Sequence, residues 1–354
     1  MVVSKQQKPS VLVTFDSMKN ANTGLYYFGL GLGNALLQEN KDRFKFSFYL
    51  KFKNRSIFAG KVRLVFLAKM HKLFFPGRNK YDVVHFTDQF CRLKPELVNA
   101  RKILTIHDLN PIIELKNDAR LLPLYFKKMN GHIDNSDKVV AISQFVADDI
   151  VKHFPQAKEK LSVIYNGADK LEPAPGHQPQ NIPQRKFLFT IGNVSPKKNF
   201  HVLPALLERN DLQLVIAGTV TNYQHKIMEE AAKFNCADRV KIIGPVSDAD
   251  KAWYYQNCEA LVFPSLAEGF GLPVIEAMYF GKPVFLSNLT SLPEIGGNVA
   301  YYFDSFEPAA MQKVLAEGLA HFHQNNLAET ARQRAALFTW ERTAQQYMAL
   351  YQGA

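Results

Sequence analysis

Short apolar runs and longer amphipathic stretches alternate along nearly the whole chain. SVLVTF (10–15), FSFYLK (46–51), DVVHF (82–86), KILTIH (102–107), KVVAI (138–142) and LSVIY (161–165) are apolar and rich in β-branched residues. So are FLFTIG (187–192), LQLVIAG (212–218), RVKIIG (239–244), EALVF (259–263) and PVFLS (283–287). The runs are continuous rather than alternating, as expected for strands buried on both faces of a parallel sheet. Helical spacing of apolar residues lies between them, at 24–38, 199–207, 223–234, 248–257, 273–280 and 308–322. This βαβα order predicts an α/β fold with parallel sheets. The pattern breaks once. Residues 168–186 hold four prolines and no apolar period, the composition of a linker. About six strands fall on each side, which predicts two doubly wound domains and a ligand cleft beyond the C-terminal ends of their strands.

With 47% apolar and 21% charged residues over 354 positions, the composition excludes wholesale disorder and a disulfide-stapled scaffold. Cys91, Cys236 and Cys258 are dispersed and odd in number, as for reduced thiols in a cytosolic protein. The first residues have no apolar core before a cleavage site, and no uncharged run reaches the ~18 residues of a membrane span. A cytoplasmic chain is therefore expected. Charge is uneven: the net +11 divides into +13 over residues 1–170 and −2 over 171–354. Residues 41–80 carry 12 Lys and Arg against the single acid Asp42, a balance that predicts an anionic partner.

The strongest chemical signal is FPSLAEGFGLPVIEAMYFGKP (263–283). A strand ends at Phe263, a turn with Gly269 and Gly271 follows, and a helix runs from Pro273 to just before Gly281. Backbone amides at such a helix start lie at the positive end of its dipole and bind phosphate. Glu268 precedes the turn and Glu276 lies inside the helix. A carboxylate aimed at phosphate would repel it, so both are expected to meet neutral hydroxyls beside it, those of a sugar and of a ribose. The plain alternative is a capped helix with one solvated glutamate.

GNVSPKKNF (192–200) repeats the strand, turn and helix order. Lys197 and Lys198 fall in a loop at the sheet's C-terminal edge, where a diphosphate can be neutralised; alone they would read as solvated lysines. TIHDLNP (105–111) puts His107 at the end of a buried strand, able to bond a sugar hydroxyl or carry a proton, although a core or loop histidine is the commoner case. Asp108 before Asn110-Pro111 reads as a turn start. NTGLYYFGLGLGNAL (22–36) is not a dinucleotide fingerprint, because Asn34 stands where the last glycine belongs. Gly24 at the helix start can approach phosphate or sugar, whereas Gly29, Gly31 and Gly33 predict close helix packing. Asp248-Ala249-Asp250 spells D-x-D, yet Ser247 with Asp250 three residues on is a capping box. No other acidic or histidine cluster has ligand spacing, so no metal is expected. G-x-S-x-G, H-E-x-x-H and P-loop motifs are absent from the sequence.

EGFGLPVIEAM, together with SPKKN, LVIAG, IIGPVSD, LVFPS, SNLTSLPEI and YNGAD, resembles the family-4 retaining glycosyltransferases of the GT-B fold. The likeness is densest over 187–304. It implies two Rossmann-like domains facing each other across a cleft: an acceptor domain (1–170), a linker (171–186), a nucleotide-sugar domain (187–338) and a last helix (339–354) returning to the first domain. The resemblance gives catalytic roles to His107, Glu268 and Lys198. Glu268 would contact the donor sugar near its reacting face and Glu276 the ribose hydroxyls. Amides around Gly269, Phe270, Gly271 and Leu272 would hold the diphosphate, which Lys198 neutralises. Lys197 stands where many members have an arginine and lacks its bidentate fork. His107 matches a histidine that touches the donor sugar, and Gly24 a first-loop glycine whose usual neighbour is Thr23 here. The family's chemistry implies no cofactor and no metal. Its retention is usually discussed as front-face attack, the acceptor hydroxyl giving its proton to the departing phosphate.

The expected activity is transfer of a hexose, of mannose or glucose type, to a glycan or glycolipid hydroxyl in cell-surface polysaccharide or lipopolysaccharide synthesis. Sugar-nucleotide epimerases and phosphorylases share the fold, and a non-catalytic basic membrane-docking module is a third alternative. No nucleic-acid motif occurs. AGKVRLVFLAKMHKLFF (59–75) mixes Lys61, Arg63, Lys69 and Lys72 with large apolar residues, the make-up of a helix or loop lying in a membrane interface. A core helix with a basic solvent face is its plain alternative. The expected partners are a nucleotide-sugar donor, a glycan or lipid-linked acceptor and, through residues 41–80, an anionic membrane surface at the inner face of the cytoplasmic membrane.

Overall fold

A computed structural model describes residues 7–19 and 23–353. The first six residues of the N-terminal segment, and Asn22 of the glycine-rich motif, lie outside the described residues. The chain divides into two units: Met1–Gly167 with Thr339–Ala354, and Ala168–Phe338.

The first unit is built on β1 (Ser10–Thr14), β2 (Lys45–Leu50), β3 (Arg63–Phe66), β4 (Val83–Phe86), β5 (Arg101–Ile106), β6 (Lys138–Ala141) and β7 (Leu161–Val163). They form one parallel sheet in the order β3-β2-β1-β4-β5-β6-β7. Helices α1 (Gly24–Glu39), α2 (Asn110–Glu114), α3 (Leu121–Asp134) and α4 (Gln144–His153) connect the strands. Val11, Leu12, Val13, Phe48, Ile103 and Val139 are fully buried, which is why these strands read as continuous apolar runs. The stretch 59–75, expected as a helix or loop, is instead the strand β3 paired to β2, followed by one 3₁₀ turn at Lys69–Lys72. Four residues are too few for their spacing to separate strand from helix, and the pairing with β2 decides.

The second unit contains β8 (Phe187–Ile191), β9 (Gln213–Ala217), β10 (Val240–Gly244), β11 (Ala260–Phe263), β12 (Val284–Ser287) and β13 (Tyr301–Phe303). Their parallel sheet has the order β10-β9-β8-β11-β12-β13. Its helices are α5 (Gln224–Lys233), α6 (Asp248–Asn257), α7 (Leu272–Tyr279), α8 (Leu292–Gly296), α9 (Pro308–Gln324) and α10 (Ala328–Ala335). The capping box of α6 forms as its sequence predicts. Ser247 Oγ accepts from the Asp250 amide at 3.1 Å, and Asp250 Oδ2 accepts from the Ser247 amide at 3.2 Å.

The last helix, α11 (Trp340–Gln352), packs on α1 within the first unit. Gly31 of α1 makes this close approach possible. A Cβ on Gly31 would lie 2.1 Å from Trp340 Cε2, and Gly29 and Gly33 press in the same way on Met18 and Phe58. Beneath α11, His85 of β4 lies between two hydroxyls, with Nδ1 2.7 Å from Tyr351 and Nε2 2.8 Å from Thr105, which in turn is 2.9 Å from the Tyr347 hydroxyl. Among the described residues no helix is long and apolar enough to cross a membrane.

Candidate functional site

In each sheet the chain winds outward in both directions from a central pair of strands, β1 and β4 in the first unit, β8 and β11 in the second. At such a reversal the loops leave in opposite directions and open a crevice beyond the strands' C-terminal ends. In the second unit, Lys197 and Lys198 follow β8, and Glu268, Gly269, Phe270, Gly271 and Leu272 follow β11. The strand order thus brings the two lysines and the glycine turn to one sheet edge.

Their contacts are direct. Lys198 Nζ forms an ion pair with Glu268 Oε1 and sits 5.0 Å from the centroid of the Phe263 ring. Both side chains are mostly covered, at 16% and 14% exposure. The Lys197 carbonyl accepts from the Leu266 amide at 2.8 Å and from Ser265 Oγ at 3.3 Å, joining the two loops. The loop after β12 supports both. Ser291 Oγ donates to the carbonyls of Glu268 (3.0 Å) and Phe270 (2.8 Å), and Thr290 Oγ1 accepts from the Glu268 amide at 3.2 Å. Thr290 has φ +56°, a conformation that a β-branched residue adopts only under constraint.

Gly271 is the N-cap of α7 with φ +118°, and a Cβ there would also lie 2.9 Å from Leu292 Cδ2, so glycine is required. Pro273 follows within the first turn, where the absence of its N–H costs nothing. One turn further, Glu276 is 8% exposed. Its Oε1 pairs with Lys251 Nζ at 2.9 Å, and its Oε2 accepts from the Tyr255 hydroxyl at 2.8 Å. Burial, and then the Glu276 charge, push the Tyr255 pKa well up, so this phenol remains a donor. Lys251 and Tyr255 are four apart on α6 and share a face; that spacing was the available signal for them. Of the D-x-D acids, Asp248 lies 3.5 Å from Lys251, and Asp250 Oδ1 bonds His177 Nε2 at 2.7 Å.

The remaining two predicted residues, His107 and Gly24, belong to the first unit. His107 follows β5 and donates from Nε2 to the Thr87 carbonyl at 2.8 Å, while its own amide donates to Gln89 Oε1 at 3.2 Å. The ring meets Phe28 of α1 edge-on at 4.5 Å between centroids. In the neutral ring this tautomer makes Nδ1 an acceptor. A Cβ on Gly24 would meet no described atom within 4 Å, so packing does not demand glycine there. Two acids missed in the sequence flank the β1/β4 reversal. Asp16 and Asp88 are 3% and 2% exposed, and burial raises the pKa of both. Asp16 Oδ2 accepts from the Arg92 amide at 2.7 Å. The signal for each was an aspartate within two residues of a buried strand's end.

Residues 176–334 match the family model of glycosyl transferases group 1, and residues 32–170 match that of glycosyltransferase family 4. The chain is 26% identical over 265 residues to the serotype-specific mannosyltransferase WbdA of Escherichia coli, a match covering 69% of this chain and 32% of WbdA. It is 28% identical over 215 residues to the O-antigen chain mannosyltransferase RfbU of Salmonella typhimurium, covering 60% and 59%. The chain therefore spans about a third of WbdA and under two thirds of RfbU. Its fold is that of Anabaena Alr3699/HepE, solved in complex with UDP and glucose, with a TM-score of 0.71 at 16% identity over 98% of this chain and 100% of that one. With one family model on each unit and transferases among its sequence relatives, the chain belongs to the family-4 glycosyltransferases of the GT-B fold.

Proposed function

We propose that the protein transfers a hexose, of mannose or glucose type, from a nucleoside-diphosphate sugar to a hydroxyl of a glycan or lipid-linked acceptor during surface polysaccharide or lipopolysaccharide synthesis. The observation that carries this reading is the Lys198–Glu268 pair at the β8/β11 reversal, beside the start of α7. The mannosyltransferase relatives and the UDP-bound structural neighbour support it.

In the resting site Glu268 compensates Lys198. A bound diphosphate brings its own negative charge, and Lys198 turns to it, with Lys197 and the Leu272 amide at the helix start adding to the positive potential. Glu268 is then released to accept from a hydroxyl of the donor sugar. The bond from the anomeric carbon to the phosphate oxygen breaks as the acceptor oxygen bonds that carbon from the same face, and the acceptor's proton passes to the departing phosphate oxygen. Glu276 holds the ribose. These charges stabilise the leaving group without a metal, and the D-x-D acids cap and brace α6 instead. His107 Nδ1 serves as a hydroxyl acceptor, and Gly24 allows close approach of a ligand.

The acceptor half works at the inner face of the cytoplasmic membrane. Phe52, Met70, Leu73 and Phe74 are 59%, 53%, 84% and 57% exposed, and Lys53, Arg55, Lys61, Arg63, Lys69 and Lys72 of the same stretch are exposed too. Large apolar side chains amid exposed cations suit an anionic lipid surface. The transfer itself is tested by incubating the protein with a panel of UDP- and GDP-hexoses and a panel of free and lipid-linked glycan acceptors, with and without EDTA, and following release of the nucleoside diphosphate. Release from one donor, unaffected by EDTA and with an α-linked product from an α-linked donor, is the expected result. No release from any donor sinks the transferase reading; inversion or EDTA loss restored by Mg²⁺ sinks its mechanism.

A further inference from the structure

We propose that Lys251 and Tyr255 are positioning residues that fix the Glu276 carboxylate for ribose recognition and so set the preference for ribonucleotides. The proposal rests on the reading of Glu276 as the ribose contact. Glu276 is anchored at both oxygens, by Lys251 at 2.9 Å and Tyr255 at 2.8 Å. Lys251 is 6% exposed and Tyr255 fully buried, so neither partner has room to move away. The terminal torsion of a glutamate is otherwise broad. Two anchors one turn apart on α6 hold the carboxylate plane still.

Each carboxylate oxygen offers about two acceptor positions. One on each is used, which leaves a fixed pair suited to two neighbouring hydroxyls. The Lys251 charge also cancels that of Glu276 close to a site meant for a diphosphate, with exposed Asp248 at 3.5 Å on its outer side. A buried ion pair adds little stability over apolar residues of equal volume, so stability alone is a poor account of this one. Orientation of an acceptor is a better one.

The experiment titrates the protein with UDP and GDP, takes the tighter of the two, and compares it with its 2′-deoxy form. In the unaltered protein the ribo form should bind more than about tenfold tighter, the range for a hydrogen bond to a charged group. Glu276→Gln should bring the ratio close to one. Lys251→Met and Tyr255→Phe should each lower it at least about threefold, a change that general loosening, weakening both ligands alike, does not produce. Tyr255→Phe keeps the volume and tests the point if Lys251→Met does not fold. A ratio kept in either variant while Glu276→Gln loses it removes that residue from the proposal and leaves the Glu276 reading intact. A ratio near one in the unaltered protein, or one kept in Glu276→Gln, overturns the Glu276 reading and the proposal together.

Discussion

Acid should loosen the first unit through His85. This histidine is fully buried in β4, and its two ring nitrogens meet the Tyr351 and Thr105 hydroxyls, partners that suit a neutral ring. Burial, with a smaller contribution from the His107 charge, pushes its pKa down to about 3. In the unfolded chain the value is about 6.5. The unfolded state therefore takes up the proton first. The stability contributed by the neutral ring is fully present above pH 6.5 and is lost as the pH falls toward 3. Between pH 7.5 and 5 that loss is about 2 kcal/mol. His132, lowered to about 4 chiefly by burial, acts with the same sign. Asp16 and Asp88, raised by burial, hold protons more readily when folded and act in the opposite sense. Comparison with His85→Gln isolates the one ring, because glutamine both donates and accepts but does not titrate. The chain has two tryptophans, Trp253 in the second unit and Trp340 in the first. In a Trp253→Phe background, Trp340 emission during urea unfolding follows the first unit alone. From pH 7.5 to 5 the parent should lose about 2 kcal/mol more than His85→Gln. Parallel pH dependences of the two proteins would refute the reasoning.

Three further outcomes are expected. Lys198→Met should lower kcat about 10²-fold or more if Lys198 stabilises the leaving diphosphate, whereas a rise in KM alone would make it a uniform binding contact. Gly31→Val should destabilise the first unit by about 2 kcal/mol or more, because the new side chain occupies the place of the Trp340 ring; an unchanged urea midpoint would show that α11 docks differently. Cosedimentation with anionic vesicles should be strong at 0.1 M salt and lost at 1 M, where the Debye length falls from about 10 Å to about 3 Å, with no binding to neutral vesicles. Equal behaviour in all four conditions excludes electrostatic docking.

The α/β class was legible because buried parallel strands have no polar face, so Val11–Val13 or Leu214–Ile216 announce themselves without an alignment. Strands β3 and β13 were not. Arg63–Phe66 and Tyr301–Phe303 are short edge strands of the two sheets, defined by the neighbour they pair with. At the site, glycine, proline and cap positions in 263–283 specify a local backbone, and local backbone is what sequence reports well. The partners of Glu268 and Glu276 are 70 and 25 residues away; the four-residue spacing of Lys251 and Tyr255 marks a shared helix face, but which carboxylate meets that face, like the pairing of Lys198 with Glu268, is decided by strand order. The same holds for Thr290 and Ser291, whose role under the glycine turn depends on β12 lying beside β11.

The first unit is interrupted in sequence, since α11 is made only after the whole of the second unit. It is nonetheless bound tightly to the earlier part: Thr343 Oγ1 donates to the Tyr165 carbonyl at 2.8 Å, and a Cβ on Gly167 would lie 2.2 Å from the Trp340 nitrogen. Within the second unit the Ala168 amide donates to the Phe338 carbonyl at 3.1 Å, so that unit, once folded, holds its first and last residues side by side. Joining the ends of a flexible segment of this length costs about 3 kcal/mol more entropy than closing a loop of a few residues. The folded second unit removes that cost in advance and delivers Thr339 next to Gly167. Order of folding then inverts order of synthesis: the unit that starts the chain waits for the one in the middle. In refolding from urea, Trp253 should regain its native emission before Trp340, and destabilising the second unit should slow the docking of α11 although no residue of α11 has changed.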